Sequence, residues 1–515
     1  MTDGEKLDYI YGYLIEQSKD LKYAFGSLSG SWGDISLYNE KKCRFEMSLD
    51  LFVRDCPLKW FNGSFYFFNG KVYDVVSETV VETAYETLLR DLGITAMMHK
   101  PLVRRESFLN KIKIRNQLHP RLDMIGFENG VLDLSNPCKP NFINFSPDVE
   151  ITYYRPYRYE DDARCDRWQM FLREVLPDKT SRTVLQMFLG LGLTQRNVAF
   201  SDEWRNGSGK VELCLFLIGG GANGKSVIFE VMRALFGDSK ISKIDYSTLT
   251  SEGDSGLRGR LPIRGMIFNW SSDSNPRGFS RKSNEDNIFK QLVSGEPVQV
   301  RGIGRNVEEC REIPYLIFNM NSLPEINDSS DGMIRRLQII PFDVTIPRSK
   351  RDPNLANNII RNELPGVFNW VMRGTRELFR RKFRFPDAEG SQMAMLRTLI
   401  TRQPTMAWVK TYKIRNSKDA PNENAAYIAG IDLYEVFVRF CEDNDVEESL
   451  IPSNRKFANS LLKMNFFKKR AGRGIYYELY GVTLERLKQP VFITDFRDID
   501  GDEVDEEESF IKDND

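Results

Sequence analysis

The sequence predicts a three-layer α/β nucleotide-binding fold, and three observations carry the prediction. The run Gly219-Gly220-Gly221-Ala222-Asn223-Gly224-Lys225-Ser226 lies between an apolar stretch, Val211 to Ile218, and a helix-like stretch, Val227 to Phe236. Two further apolar runs, Met266 to Trp270 and Tyr315 to Met320, read as strands. Helical stretches alternate with them, the pattern of a sheet sandwiched between helices.

The glycine-rich run has the spacing of a phosphate-binding loop. Gly219 and Gly224 let the backbone curl so that successive N–H groups point at an anion, at the start of a helix whose dipole favours negative charge. Lys225 then reaches the β/γ-phosphates and Ser226 holds Mg²⁺, so the loop from Gly219 to Ser226 is the expected site of a nucleoside triphosphate.

At 515 residues the chain is long for one hydrophobic core and suggests three or four domains. Hydrophobic residues at 41% and charged residues at 28% describe an ordinary soluble globular protein. No apolar stretch reaches the roughly 20 residues needed to span a bilayer, and Met1-Thr2-Asp3-Gly4-Glu5 lacks a signal-peptide pattern, so a cytosolic location without membrane contact is expected. The seven cysteines contain no Cys-x-x-Cys pair and His99 and His119 are the only histidines, which argues against a zinc site and for reduced thiols. Residues 495 to 515 carry eleven acidic and two basic side chains, net −9, so the remainder of a chain with overall charge −1 carries +8. That balance suits a polyanionic partner, and the acidic tail is expected to be disordered. Its role is either solubility or that of a peptide that docks a basic partner or competes with nucleic acid for the basic body.

In chain order, Trp60 to Val76 reads as strands separated by Asn62-Gly63 and Asn69-Gly70, a hairpin signal whose aromatics build a core or, alternatively, a base-stacking platform. Arg104, Arg105, Lys111, Lys113 and Arg115 form a basic patch, a solvated helix face or a nucleic-acid contact. A polar and aromatic segment, Ile125 to Leu134, follows. Cys165 to Leu193 then reads as two amphipathic helices whose buried stripes include Trp168, Phe171, Leu172 and Val175, then Val184, Leu185, Met187 and Phe188. Arg205 to Lys210 reads as a linker.

Beyond the phosphate loop, Asp273 ends a strand where Mg²⁺ or its water needs a negative ligand. Asn321, after the Tyr315 to Met320 strand, is placed to orient water or contact the γ-phosphate, or is a turn residue. Arg335 and Arg336 offer charge to a neighbouring subunit's nucleotide, or form a surface patch. Ile431 to Leu487 resembles a winged-helix module, with helices over Ile431 to Asn444 and Asn454 to Met464 and a hairpin over Phe466 to Tyr480. Lys468, Lys469 and Arg470 at the wing, with Arg455 and Lys456 at a helix start, are candidate DNA contacts; a module that caps a ring or binds a protein is the alternative.

The ordered set resembles the superfamily 3 helicases, specifically the C-terminal helicase of the poxvirus and phage-plasmid primase-helicase family. The segments that carry the resemblance are the phosphate loop, Asn269-Trp270-Ser271-Ser272-Asp273, Lys290 to Pro297, Asn321-Ser322-Leu323-Pro324 and Arg335 to Phe342. It covers about residues 120 to 480, with Gly126 to Arg196 resembling the helical region before the helicase. It implies an AAA+-like P-loop ATPase that assembles as a ring, usually a hexamer, and moves 3′ to 5′ on single-stranded DNA. Lys225 and Ser226 bind phosphate and Mg²⁺, Asp273 is the acid, Asn321 the sensor and Arg335 or Arg336 the finger. Val298 to Cys310 is then the hairpin in the ring channel. Arg301 and Arg305 flank its Gly302-Ile303-Gly304 turn and can track a phosphate backbone, unless the hairpin is an ordinary surface one.

Two departures stand out. Ser272 precedes a single acid, which leaves the general base unassigned, and the N-terminus lacks an Asp-x-Asp strand signature with a downstream histidine, which argues against primer synthesis by this chain.

The expected organisation is an N-terminal α+β region (1–120), a collar-like helical segment (121–200), the ATPase/helicase domain (201–385), a winged-helix domain (386–490) and the acidic tail (491–515). The expected function is an ATP- and Mg²⁺-dependent DNA helicase in replication of a virus, phage or mobile element. It would act on single-stranded or forked DNA, with a separate primase or polymerase as partner, in the host cytoplasm if viral. The alternative is a nucleotide-gated DNA-binding loader or scaffold that does not unwind.

Overall fold

A computed structural model describes residues 2–12, 16, 58–61, 63–91, 109–121, 123–194, 211–271, 283–321, 331–386, 396, 399–400, 403–420, 424–472 and 474–493. Strands β1 (Leu58–Phe61), β2 (Ser64–Phe68) and β3 (Tyr73–Val76) form an antiparallel meander. Gly63 and Gly70 take φ +83° and +93° at its turns, a region that a Cβ disfavours. Phe65, Phe67 and Tyr73 turn inward, so this aromatic run builds a core.

The span 121–200, expected to be helical, opens instead with a second antiparallel sheet of β4 (Met124–Phe127), β5 (Gly130–Asp133) and β6 (Asn141–Ile143). Glu128 and Asn129 make its first turn, and a Cβ on Gly130 would lie 2.8 Å from the carbonyl oxygen of Ile143. The short apolar runs on either side of this Asn-Gly pair are a hairpin signal, and it prevails over the helical expectation. Helices Asp166–Val175 and Lys179–Gly190 then form as expected and bury the predicted stripes. Asp178 caps the second by accepting from the backbone N–H groups of Thr180 and Ser181.

The central sheet comprises β7 (Cys214–Ile218), β8 (Ile241–Ser242), β9 (Phe268–Ser271), β12 (Tyr315–Met320) and β13 (Leu337–Pro341), in the order β13-β7-β12-β9-β8. All four pairings are parallel. Between β9 and β12 the chain makes an antiparallel hairpin of β10 (Val298–Arg301) and β11 (Val307–Cys310). Side chains on a strand alternate faces, and here both faces are buried. Cys214 and Phe216 point to one side, into a cluster with Phe289, Leu292 and Val293 of helix Ser283–Ser294. Leu215 and Leu217 point to the other, against Ile228, Val231 and Leu235 of helix Lys225–Phe236 and Val367 and Val371 of helix Leu355–Arg380. Helices therefore cover both faces of the parallel sheet.

A separate core lies further along the chain. Helices Pro404–Thr411, Gly430–Asp443 and Asn454–Lys463 pack with a three-stranded sheet of β14 (Ala426–Ala429), β15 (Lys468–Ala471) and β16 (Gly474–Leu479), in the order β14-β16-β15. Trp408, Phe437 and Phe457 fill its centre, the last two stacked with centroids 4.4 Å apart. The acidic tail and the Arg205 to Lys210 linker lie outside the described residues. Among those described, no helix is long and apolar enough to cross a membrane. Burial pushes the Cys165 and Cys441 thiols up to about 11 and about 12, as expected of structural rather than reactive cysteines.

Candidate functional site

β7 delivers the chain to the carboxyl edge of the sheet, and there the backbone turns sharply. The Gly219 N–H donates to the carbonyl oxygen of Met320 at 3.0 Å, so the loop begins still tied to β12. A Cβ on Gly219 would lie 2.5 Å from the carbonyl oxygen of Phe342. Gly224 has φ +85°, and a Cβ there would press to 2.9 Å on the Phe171 ring and Val175. Only glycine meets both the conformation and the close approach of helix Asp166–Val175. Phe342 N–H donates to Ile218 and Ile346 N–H to Ala222, at 2.6 and 2.8 Å, so the segment after β13 holds the loop from the other side. The Asn223 side-chain amide closes the turn onto the Gly220 carbonyl.

Lys225 opens the helix and is only 9% exposed. Its ammonium donates to the carbonyl oxygens of Gly219 and Gly220, which holds a positive charge within the loop. Gly220, Gly221, Ala222 and Ser226 are exposed, and a Cβ on Gly220 or Gly221 would touch nothing. A helix N-terminus, a curled backbone and a fixed ammonium together form a concavity, open on one side, that could hold an anion.

Asn321 shares this edge. Met320 pairs with Ile218 in register, so Asn321 is level with Gly219, and it is exposed. Asp273 lies outside the described residues. β9 carries buried polar groups whose part is structural. Asn269, fully buried, accepts from Ser242 Oγ and the Ile244 N–H and donates to the Ile244 carbonyl, each at 2.9 Å, which ties β9 to the exit of β8. Trp270 Nε1 donates to Asn319 Oδ1 at 3.1 Å, joining β9 to β12. Asn319 was missed in the sequence; the only signal was an amide inside an otherwise apolar run.

Arg335 and Arg336 are not brought to this edge. They precede β13, whose Leu337 pairs with Cys214, so they sit at the amino edge. The five-residue strand β7 separates them from their own chain's loop by about 16 Å along the strand direction. The two arginines also differ. Arg336 reaches Glu212 Oε2 at 2.8 Å and Ser294 Oγ at 3.0 Å and donates to the Gly332 carbonyl. Arg335, with its side chain 68% exposed, stands 3.7 Å from Glu212.

The β10–β11 hairpin presents its tip to solvent, with Ile303 88% exposed and Gly304 at φ +69°. Arg301 pairs with Asp254 at 3.1 Å and donates to the Arg305 carbonyl, whereas the Arg305 side chain is exposed. Lys468, Lys469 and Arg470 are all exposed on the edge strand β15, beside the exposed Phe467 and Ile475. Lysine on an edge strand also discourages unwanted strand pairing. Among the described residues no group of three or more His, Cys, Asp or Glu side chains could hold a metal.

Residues 113–177 match the family model described as D5 N terminal like, and residues 217–336 match that of a family of unknown function, DUF5906. A protein of Acanthamoeba polyphaga mimivirus described as a candidate helicase is 30% identical over 232 residues, 42% of this chain and 22% of that protein. A protein of African swine fever virus described as a candidate primase is 22% identical over 245 residues, 46% of this chain and 23% of that one. The chain therefore spans less than a quarter of either relative. Among solved structures, the C-terminal region of NrS-1 aligns over 83% of this chain and 95% of its own, at 11% identity and a TM-score of 0.41. The similarity is thus to a D5-N-terminal-like segment and to parts of viral proteins named for helicase and primase activity.

Proposed function

We propose that this chain is an ATP-dependent DNA helicase of the superfamily 3 type, built on an AAA+-like P-loop core. It forms a ring, usually hexameric, and moves 3′ to 5′ on single-stranded DNA during replication of a virus, phage or mobile element. The observation that carries the reading is the concavity at Gly219–Ser226, where a buried Lys225 and a helix N-terminus face an open side at the carboxyl edge of a parallel sheet. The viral relatives named for helicase and primase activity supply the replication context.

In this reading the loop N–H groups and Lys225 bind the phosphates of ATP, and Asn321, level with Gly219, positions water or the γ-phosphate. A hydroxyl and a carboxylate are hard oxygen donors suited to Mg²⁺, which takes most of its ligands from phosphate and water, so Ser226 and Asp273 would hold it. When bound, Mg²⁺ neutralises phosphate charge. Arg335 is the finger offered to a neighbouring subunit, since Arg336 is engaged by Glu212 and Ser294. Arg305 on the hairpin tip tracks DNA in the channel, and Lys468, Lys469 and Arg470 contact phosphates from a winged-helix domain. The test is strand displacement on a 3′-tailed fork: ATP-dependent unwinding is expected, and DNA binding without unwinding would instead favour a nucleotide-gated loader or scaffold.

A further inference from the structure

At the amino edge of the central sheet, the β4–β6 unit meets the core around a cavity of about 400 Å³. Phe61, Tyr153, Phe236 and Tyr315 line it with rings, and Arg155 and Lys240 line it with cations. Arg121 also lines it but is held by Asp123 at 2.7 Å, and Glu312 is the one acidic residue among the described lining residues.

Arg155 is 5% exposed, and no carboxylate among the described residues pairs with it. Its Nε donates to the Leu235 carbonyl at 3.1 Å, in the last turn of the phosphate-loop helix. The Phe127, Phe236 and Phe368 rings lie 5.7 to 5.8 Å from the guanidinium carbon. A helix C-terminus and aromatic faces compensate part of the desolvation of a buried cation. Lys240 shares the cavity, with its Nζ 6.0 Å from the Tyr153 ring centroid. Burial pulls the Lys240 pKa down, Glu312 opposes this and the charge of Arg155 adds to it. Arg155 and Lys240 therefore line one small chamber, where Arg121 is already paired to Asp123 and Glu312 is the one acid among the described lining residues.

An anion in the chamber would pair with both cations. The volume falls in the range of small-molecule sites and exceeds what a bare phosphate fills, and the ring wall offers stacking surface. We propose that this cavity binds a mononucleotide, with Arg155 and Lys240 taking its phosphate and the aromatic wall its base. The site is distinct from the phosphate loop, because the 12-residue helix Lys225–Phe236 puts about 18 Å between its two ends.

The test is calorimetric titration of the full chain carrying Lys225→Ala, which removes the phosphate-loop ammonium, with dAMP and, separately, inorganic phosphate. Saturable dAMP binding is expected, weakened about tenfold by Lys240→Gln through loss of one charge-assisted contact. Thr152→Trp, which places a bulky ring on an exposed lining residue, should abolish it, and inorganic phosphate should bind more weakly than dAMP. Arg155→Ala deletes a buried group and is expected to destabilise the fold, so the half-buried Lys240 carries the test, with melting curves checked for each variant. No dAMP binding, binding indifferent to Lys240→Gln and Thr152→Trp, or equal binding of inorganic phosphate would each overturn the proposal.

Discussion

The two edges of the central sheet are built on different principles. At the carboxyl edge, the backbone itself shapes the loop: Gly219 and Gly224 sit where a Cβ would strike Phe342 or Phe171, and Lys225 is held by carbonyls five and six residues earlier. At the amino edge, charged side chains take their roles from distant partners. Arg336 meets Glu212 across 124 residues and Arg155 meets Leu235 across 80. A local motif announces the first edge, and packing alone assembles the second.

Substitutions can break or sharpen this contrast. Lys225→Ala should abolish ATP hydrolysis; turnover at wild-type level would refute the site. Arg335→Ala should lower hydrolysis in the assembled oligomer by roughly 10³-fold or more, as for other trans-acting arginines, with no change in stability. An equal loss in isolated subunits would sink the finger assignment. Arg336→Ala should do the opposite, costing roughly 2–4 kcal/mol of stability by leaving Glu212 and Ser294 without their guanidinium, measurable by denaturant titration. Gly224→Ala should cost about 1–3 kcal/mol, from left-handed strain together with the Phe171 contact, and should weaken nucleotide binding. The smallest effect is expected for Arg305→Ala, where basal ATPase survives and stimulation by single-stranded DNA falls; unaltered stimulation would argue for an ordinary surface hairpin.

Much of the fold was legible in the sequence. The Asn-Gly pairs at 62–63 and 69–70, the helix after the glycine-rich loop, both amphipathic helices and the Phe466 to Tyr480 hairpin are local signals, and the described strands and helices lie close to where those signals put them. The β4–β6 sheet was misread because its strands are three or four residues long, too short for alternation to stand out against a helical expectation. Within the candidate site, the position of the loop between β7 and helix Lys225–Phe236 was legible, whereas the different surroundings of Arg335 and Arg336 were not, because adjacent arginines look identical until Glu212 and Ser294 arrive from elsewhere.

The sequence by itself determined the glycine-rich loop and its lysine, because backbone conformation and close approach at Gly219 and Gly224 depend on residue type at fixed spacing. Only the tertiary structure decided which arginine is clamped and which is exposed, and that a guanidinium and an ammonium 85 residues apart in sequence line one chamber. Burial and long-range pairing are properties of the packed chain, and a linear pattern of charges does not encode them.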